Sequence, residues 1–337
     1  MHVNRLKLIS LVVSAVVVAS ACSSSATRAP TAAPATAASS ASAAGKTYKI
    51  VLIEGVKSSG FYAAMACGAA AEAKKLGGID FSATASDTFT AVAETPIVEA
   101  ITSQHPDAVL VVPVDAVAMA APIKAMQDAG IKVVLVDTIL NDTSIGVSRV
   151  ASDNVKGGTT AADTLAQLID NKGSVYIEND KPGASATDQR TQGFQEQIKN
   201  YPNITNLGVQ YYKDDSALAA SIPTSMLAAH PDLAGIFSVD YRATVGIDTG
   251  LRTAGKQGKI KVVGFDADPA DIQALQTGVV DALIVQKPLL IGQLGIDQAV
   301  NALTGKPVQT NIATDFVVAT KANMNDPSIS QFFYKGC

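Results

Sequence analysis

The chain contains no tryptophan, and only 5% of its 337 residues are aromatic, so any core it builds is aliphatic. Its three histidines, His2, His105 and His230, are widely dispersed and show no metal-ligating spacing. Three cysteines, Cys22, Cys67 and Cys337, are too few and too scattered for a structural zinc site. Gly-x-Gly-x-x-Gly, a Walker lysine loop and a Gly-x-Ser-x-Gly elbow are all missing, which removes the commonest enzymatic arrangements on layered α/β folds. The net charge is −4 and the Lys and Arg residues do not cluster, so the basic stripe that nucleic acid requires is lacking. The apolar run from Leu8 to Ala19 is too short for a comfortable membrane span. The expectation is a binding protein without cofactor or metal, not an enzyme.

That apolar run follows Asn4, Arg5 and Lys7 and ends in Ala19-Ser20-Ala21-Cys22, which is the layout of a secretory signal. Small residues before a cysteine resemble a bacterial lipobox, in which Cys22 becomes the lipidated first residue. The plainer alternative is an ordinary signal peptide cleaved nearby. Residues 23–45 are nearly all Ser, Ala, Thr and Pro, cannot bury a core, and read as a tether spanning on the order of 25–30 Å. In an exported chain the remaining pair, Cys67 and Cys337, is a disulfide candidate, with two unpaired thiols as the alternative. The aromatic tail Phe332-Phe333-Tyr334 before Cys337 favours a docked end, expected on the first lobe.

From Tyr48 onward, β-branched runs alternate with helical stretches. The runs are Lys49–Ile53, Phe81–Ala85, Ala108–Val112, Lys132–Val136, Ser174–Ile177, Val209–Tyr212, Ala234–Ser238, Lys261–Phe265 and Ala282–Val285. Helices are expected between nearly all of them, for example over Tyr62–Leu76 and Ala116–Ala129. Strands apolar throughout and separated by helices indicate parallel sheets covered on both faces, and their number calls for two doubly wound lobes. An internal echo supports two lobes: His105-Pro106-Asp107 and His230-Pro231-Asp232 each precede an apolar strand that ends near an Asp. These histidines lie at the amino end of their strands, whereas open parallel sheets bind ligands beyond the carboxyl ends.

The carboxyl ends carry a consistent set: Phe61 and Tyr62, Asp137, Arg190 on the helix after Ser174–Ile177, then Asp240, Asp266 and Gln286. Carboxylates and Gln pair with hydroxyls, Arg donates in a fixed fork, and aromatic faces cover the C–H face of a ring. Such a set suits a polyhydroxylated ligand, although an Asp after a strand is also a common helix cap.

Six motifs run in order along the chain: Ser59-Gly60-Phe61-Tyr62, Val134-Leu135-Val136-Asp137, Ala151-Ser152-Asp153-Asn154, Arg190-Thr191-Gln192-Gly193-Phe194, Val262-Val263-Gly264-Phe265-Asp266 and Val285-Gln286-Lys287-Pro288. On these the segment from about Lys46 to Asn323 resembles the type I periplasmic binding proteins of the ribose/galactose type, which serve ABC importers. The resemblance implies two lobes joined by a three-segment hinge, with 46–151 plus 286–312 in the first and 152–285 plus 313–323 in the second. It places ring-stacking aromatics at Phe61 and Tyr62 and ligand-binding groups at Asp137, Arg190, Asp266 and Gln286. Three positions depart from the family pattern: Thr138 stands where Arg is usual, Val112 where Asn is usual, and Asp240-Tyr241 where Asn-Asp is usual. The implied protein is a monomer on the outer face of the cell membrane that passes a sugar, sugar alcohol or cyclitol to a permease. A ligand-presenting sensor of the same fold is the alternative, while the export signal excludes a related DNA-binding repressor.

Overall fold

In the computed structural model, residues 46–337 are described; residues 1–22, read above as a signal with Cys22, and 23–45, read as a tether, lie outside them. The first lobe runs β1 (Tyr48–Glu54), α1 (Gly60–Leu76), β2 (Ile79–Ala85), α2 (Ala91–Ser103), β3 (Ala108–Val111), α3 (Ala120–Asp128), β4 (Lys132–Val136) and β5 (Ser148–Ser152). The second runs α4 (Asn154–Leu168), β6 (Gly173–Asn179), α5 (Ser185–Ile198), β7 (Ile204–Tyr211), α6 (Ser216–Ala229), β8 (Leu233–Ser238), α7 (Tyr241–Thr253), β9 (Lys261–Phe265), α8 (Pro269–Thr277) and β10 (Ala282–Val285). The chain closes with α9 (Pro288–Thr304), β11 (Asn311–Thr314), β12 (Val317–Thr320) and the single turn α10 (Pro327–Ser330).

The two sheets have the same strand order, β11-β5-β4-β3-β1-β2 and β12-β10-β9-β8-β6-β7. Strands β3 and β8, each preceded by a His-Pro-Asp turn, occupy equivalent places, so the sequence echo reflects a repeated lobe architecture. Asp107 explains its own turn, since its carboxylate accepts the Lys49 N–H at 2.8 Å and so ties the turn to β1. His105 adopts a left-handed backbone there, at φ 47°. Every strand pairing is parallel except that of β12 with β10.

The apolar runs are buried because helices cover both sheet faces. Ile50, Leu52, Val109, Leu110, Val111 and Val133 through Val136 have no exposed surface. Edge strand β2 is partly exposed instead, with Asp80, Ser82 and Ala83 on the surface. The expected helix Ala116–Ala129 starts only at Ala120, because Asp115 Oδ1 accepts the N–H groups of Val117 and Ala118 at 2.9 and 2.7 Å and folds that stretch into turns.

The chain passes between lobes three times: from β5 into α4, from β10 into α9, and between β11 and β12. Helix α9 returns to pack on α1 through a close glycine pair. A Cβ on Gly68 would meet the Leu289 carbonyl, and one on Gly292 the Met65 carbonyl. In the second lobe α4 and α5 repeat the device with Gly158 against the Arg190 carbonyl and Gly193 against the Val155 carbonyl.

Cys67 of α1 and Cys337 are disulfide-bonded, with Cα atoms 5.5 Å apart. The tail does not rest on the first lobe alone, however. Tyr334 donates its N–H to Ala267 O at 3.1 Å, and Ala267 follows β9 of the second lobe. The end of β9 offers acceptors directly opposite α1, so the tail lies between the lobes. Among the described residues no helix is long and apolar enough to cross a membrane.

Candidate functional site

The carboxyl ends of both sheets face one cleft, and it gathers all seven of the singled-out residues: Phe61, Tyr62, Asp137, Arg190, Asp240, Asp266 and Gln286. The free volume inside is about 60 Å³.

Two aspartates occupy equivalent positions. Asp137 follows β4 and Asp266 follows β9, strands in matching places of the two sheets. Both have left-handed backbones, at φ 64° and 83°, which non-glycine residues adopt only at a cost of order 1–3 kcal/mol. Each is held there by its own N–H, donated to Val150 O at 2.9 Å and Ile284 O at 3.0 Å respectively. The conformation turns each carboxylate off the strand end into the cleft. Asp137 Oδ2 accepts the Tyr62 hydroxyl at 3.1 Å, and Asp266 Oδ1 accepts Gln286 Nε2 at 2.6 Å. Among the described residues, the second oxygen of each carboxylate has no protein donor.

Arg190 lies between them, 3% exposed. Its Nε donates to Asn154 Oδ1 at 2.9 Å, its Nη1 to Val239 O at 2.8 Å, and its guanidinium lies 3.8 Å above the Phe265 ring. Gln286 is clamped at both ends, since its Oε1 accepts the Ser152 hydroxyl at 2.7 Å; it therefore orients Asp266 from the crossing segment. Asp240 works mainly as a cap. Its Oδ1 accepts the Ala243 N–H of α7, and both its oxygens receive the Tyr212 hydroxyl. Phe61 and Tyr62 meet edge to face, 5.3 Å between centroids, and form the first-lobe wall.

Among the further residues that line the cleft and that sequence reasoning did not single out are Phe89, Asp180 and Arg242. Arg242 pairs with Asp214 and Asp180 and sits near the rings of Phe89, Tyr212 and Tyr241. Asp180 and Arg242 also follow strand ends, β6 and β8, so the same rule could have found them. Thr138, which stands where the family pattern has Arg, turns its hydroxyl to Pro113 O at 2.7 Å. The second cation of the cleft is thus Arg242, reaching in from the other lobe.

The lobes meet over the cleft. Lys181 Nζ donates to Phe89 O at 2.8 Å, Ala116 N–H to Gly183 O at 2.8 Å, Ile139 N–H to Ser185 Oγ at 2.7 Å, and Gly60 N–H to Asp268 Oδ1 at 2.9 Å. Among the described residues no cluster of His, Cys, Asp or Glu is arranged to hold a metal ion.

The acids of this region hold protons unusually well. Burial raises Asp137 to about 7, opposed by Arg190. Burial, reinforced by the Asp266 charge, raises Asp268 to about 7. Burial also raises Asp266, against the pull of Arg190. A carboxyl whose folded pKa lies above its unfolded value of about 3.9 penalises folding increasingly as pH rises between the two. Asp268→Asn keeps the Gly60 acceptor and remains a good N-cap for α8. The variant is expected to match wild type at pH 4 and to exceed it by on the order of 2–4 kcal/mol at pH 8 in urea denaturation. Equal stability gaps at both pH values would refute a buried, protonated Asp268.

Residues 50–307 match the periplasmic binding protein domain. The chain is 30% identical over 273 residues to the ribose import binding protein of Escherichia coli, covering 81% of this chain and 90% of that protein. The Bacillus subtilis ribose import binding protein is also 30% identical, over 233 residues, 68% of this chain and 73% of its own length. Among solved structures, an ABC transporter solute-binding protein from Agrobacterium vitis with bound α-D-tagatopyranose aligns with a TM-score of 0.83 at 38% identity, covering 86% of this chain and 99% of that one. Another from the same organism, with bound D-fucose, aligns with a TM-score of 0.80 at 28% identity, covering 85% and 100%. These relatives are transport-associated binding proteins, not enzymes. With the same two-lobe fold, the chain belongs to the periplasmic binding proteins, as a type I member of the ribose-binding kind.

Proposed function

We propose that the protein captures one monosaccharide, or a polyol of that size, between its lobes and delivers it to an ABC importer. The observation that carries this is the matched pair Asp137 and Asp266, each turned into one cleft by a left-handed backbone and each with a carboxylate oxygen free of protein donors among the described residues. Neighbouring hydroxyls of a sugar can donate to these oxygens while Arg190 balances the charge and Phe61 covers a ring face. Size supports a single ring. The free volume of about 60 Å³, room for about four to six waters, suits a small ligand of one ring. Ligand bridging both lobes would favour the closed arrangement about the three crossings. Lipidation at Cys22 and the tether would keep the domain near its permease, working as a monomer.

A thermal-shift panel of pentoses, hexoses, sugar alcohols and cyclitols tests the reading. A member present at a hundred times its Kd should add about 2.7 kcal/mol of stability. Asp266→Ala should then weaken that sugar about ten- to a hundredfold, the cost of losing a charged hydrogen bond. A panel in which nothing stabilises the wild type, or unchanged affinity in both Asp137→Ala and Asp266→Ala, would sink it.

A further inference from the structure

The C-terminal tail is bonded covalently to one lobe and hydrogen-bonded to the other. Cys337 is disulfide-linked to Cys67 of α1. Three residues earlier Tyr334 is only 4% exposed, and its hydroxyl donates to Asp266 Oδ1 at 3.0 Å. Its ring meets Phe61 edge-on, 5.7 Å between centroids. Phe332 lies 4.7 Å from Lys287 Nζ, at the crossing from β10 into α9. Tyr334 and Gln286 thus place two donors on the same oxygen, Oδ1. This fixes the carboxylate plane and leaves Oδ2 as the oxygen available to a ligand hydroxyl.

We propose that Tyr334 is a positioning residue for ligand capture: anchored by the Cys67–Cys337 disulfide, it orients Asp266, so that affinity depends on the integrity of a bond at the end of the chain. The tail is then a fourth tie between the lobes, beside the three crossings. The effect on affinity rests on the monosaccharide reading above; the effect on Asp266 does not. Reduction with dithiothreitol supplies two electrons and two protons, yields the Cys67 and Cys337 thiols, and leaves the reagent as its own cyclic disulfide. Half-buried Cys67 and exposed Cys337 leave the bond within reach of the reagent.

The exported protein is compared with Tyr334→Phe, Cys337→Ser and dithiothreitol-treated wild type, with D-tagatose and D-ribose as probes. Tyr334→Phe keeps the ring and removes only the donor. It should weaken binding of whichever probe binds by roughly tenfold. Cys337→Ser and reduction should do the same, and the double variant should be no worse than either single one, because both act through one contact. The second readout needs no ligand. The lost donor favoured ionised Asp266, which also faces Arg190, Tyr62, Asp137, Asp240, Asp268 and Asp271. Its removal raises Asp266 further, so the melting gap between Tyr334→Phe and wild type should widen from pH 5 to pH 9. A merely packing role would leave that gap constant. A constant gap overturns the positioning role whether or not a probe binds, and unchanged probe affinity after verified reduction overturns the disulfide dependence. A widening gap with neither probe bound would uphold the positioning of Asp266 and remove its tie to these sugars.

Discussion

Replacing Arg190 by Met is expected to destabilise the protein by about 3–5 kcal/mol at pH 9, the usual cost of stripping the partner from buried charge. Arg190 is the cation whose attraction holds down both Asp137 and Asp266. Without it their pKa values climb further. The sign follows from linkage: a carboxyl with a raised folded pKa loses folding free energy as pH rises toward that pKa. For Asp137 in the wild type this loss is complete near its folded value of about 7, whereas in the variant it continues above. At pH 6 the difference should shrink to about 1–3 kcal/mol, reflecting the orphaned Asn154 and Val239 acceptors. Urea denaturation at the two pH values measures both figures. A loss that is the same at pH 6 and pH 9 would show that Arg190 does not balance the aspartates.

Substitution of Gly158 by Val should cost about 3 kcal/mol, at the upper end for overpacking, because the obstruction is backbone and not a side-chain tip. The added Cβ would run into the Arg190 carbonyl, so α4 and α5 must separate for it to fit. The same displacement moves Arg190 itself, whose Nε bond to Asn154 depends on the spacing of these two helices. Sugar affinity should therefore fall along with stability. The equivalent Gly68→Val in the first lobe presses on the Leu289 carbonyl and should cost similar stability while leaving Arg190 in place. Comparison of the two denaturation midpoints with the two affinities separates packing from positioning. A Gly158→Val protein with an unchanged midpoint would mean that the helices have slack the close contact denies.

Local chemistry made much of this protein legible as text. Short β-branched apolar runs such as Val109–Val111, bounded by turn residues, read as strands buried on both faces, and helical stretches between them favour parallel pairing. The rule that ligands lie beyond carboxyl strand ends then singles out Asp137, Arg190, Asp266 and Gln286 from the sequence alone. What escaped was set by partners distant in the chain. Strand β5 begins with Ser148 and Arg149, and β11 is largely exposed; β5 is a strand because β4 and α9 lie beside it, and β11 because β5 does, not because their residues say so. Composition cannot reveal that Asp137 and Asp266 sit in left-handed backbones, since the conformation is imposed by bonds to Val150 and Ile284 on neighbouring strands. Nor could it decide between the two roles open to Asp240, a cap or a ligand contact, which the bonds to Ala243 and Tyr212 settle in favour of the cap. The tail is the clearest case. Its aromatics and cysteine promised a docked end, but the hydrogen bond from Tyr334 to Asp266 spans 68 residues and that from Gly60 to Asp268 spans 208. Contacts at such separations have no periodicity to betray them, and they exist only once both lobes have folded and met.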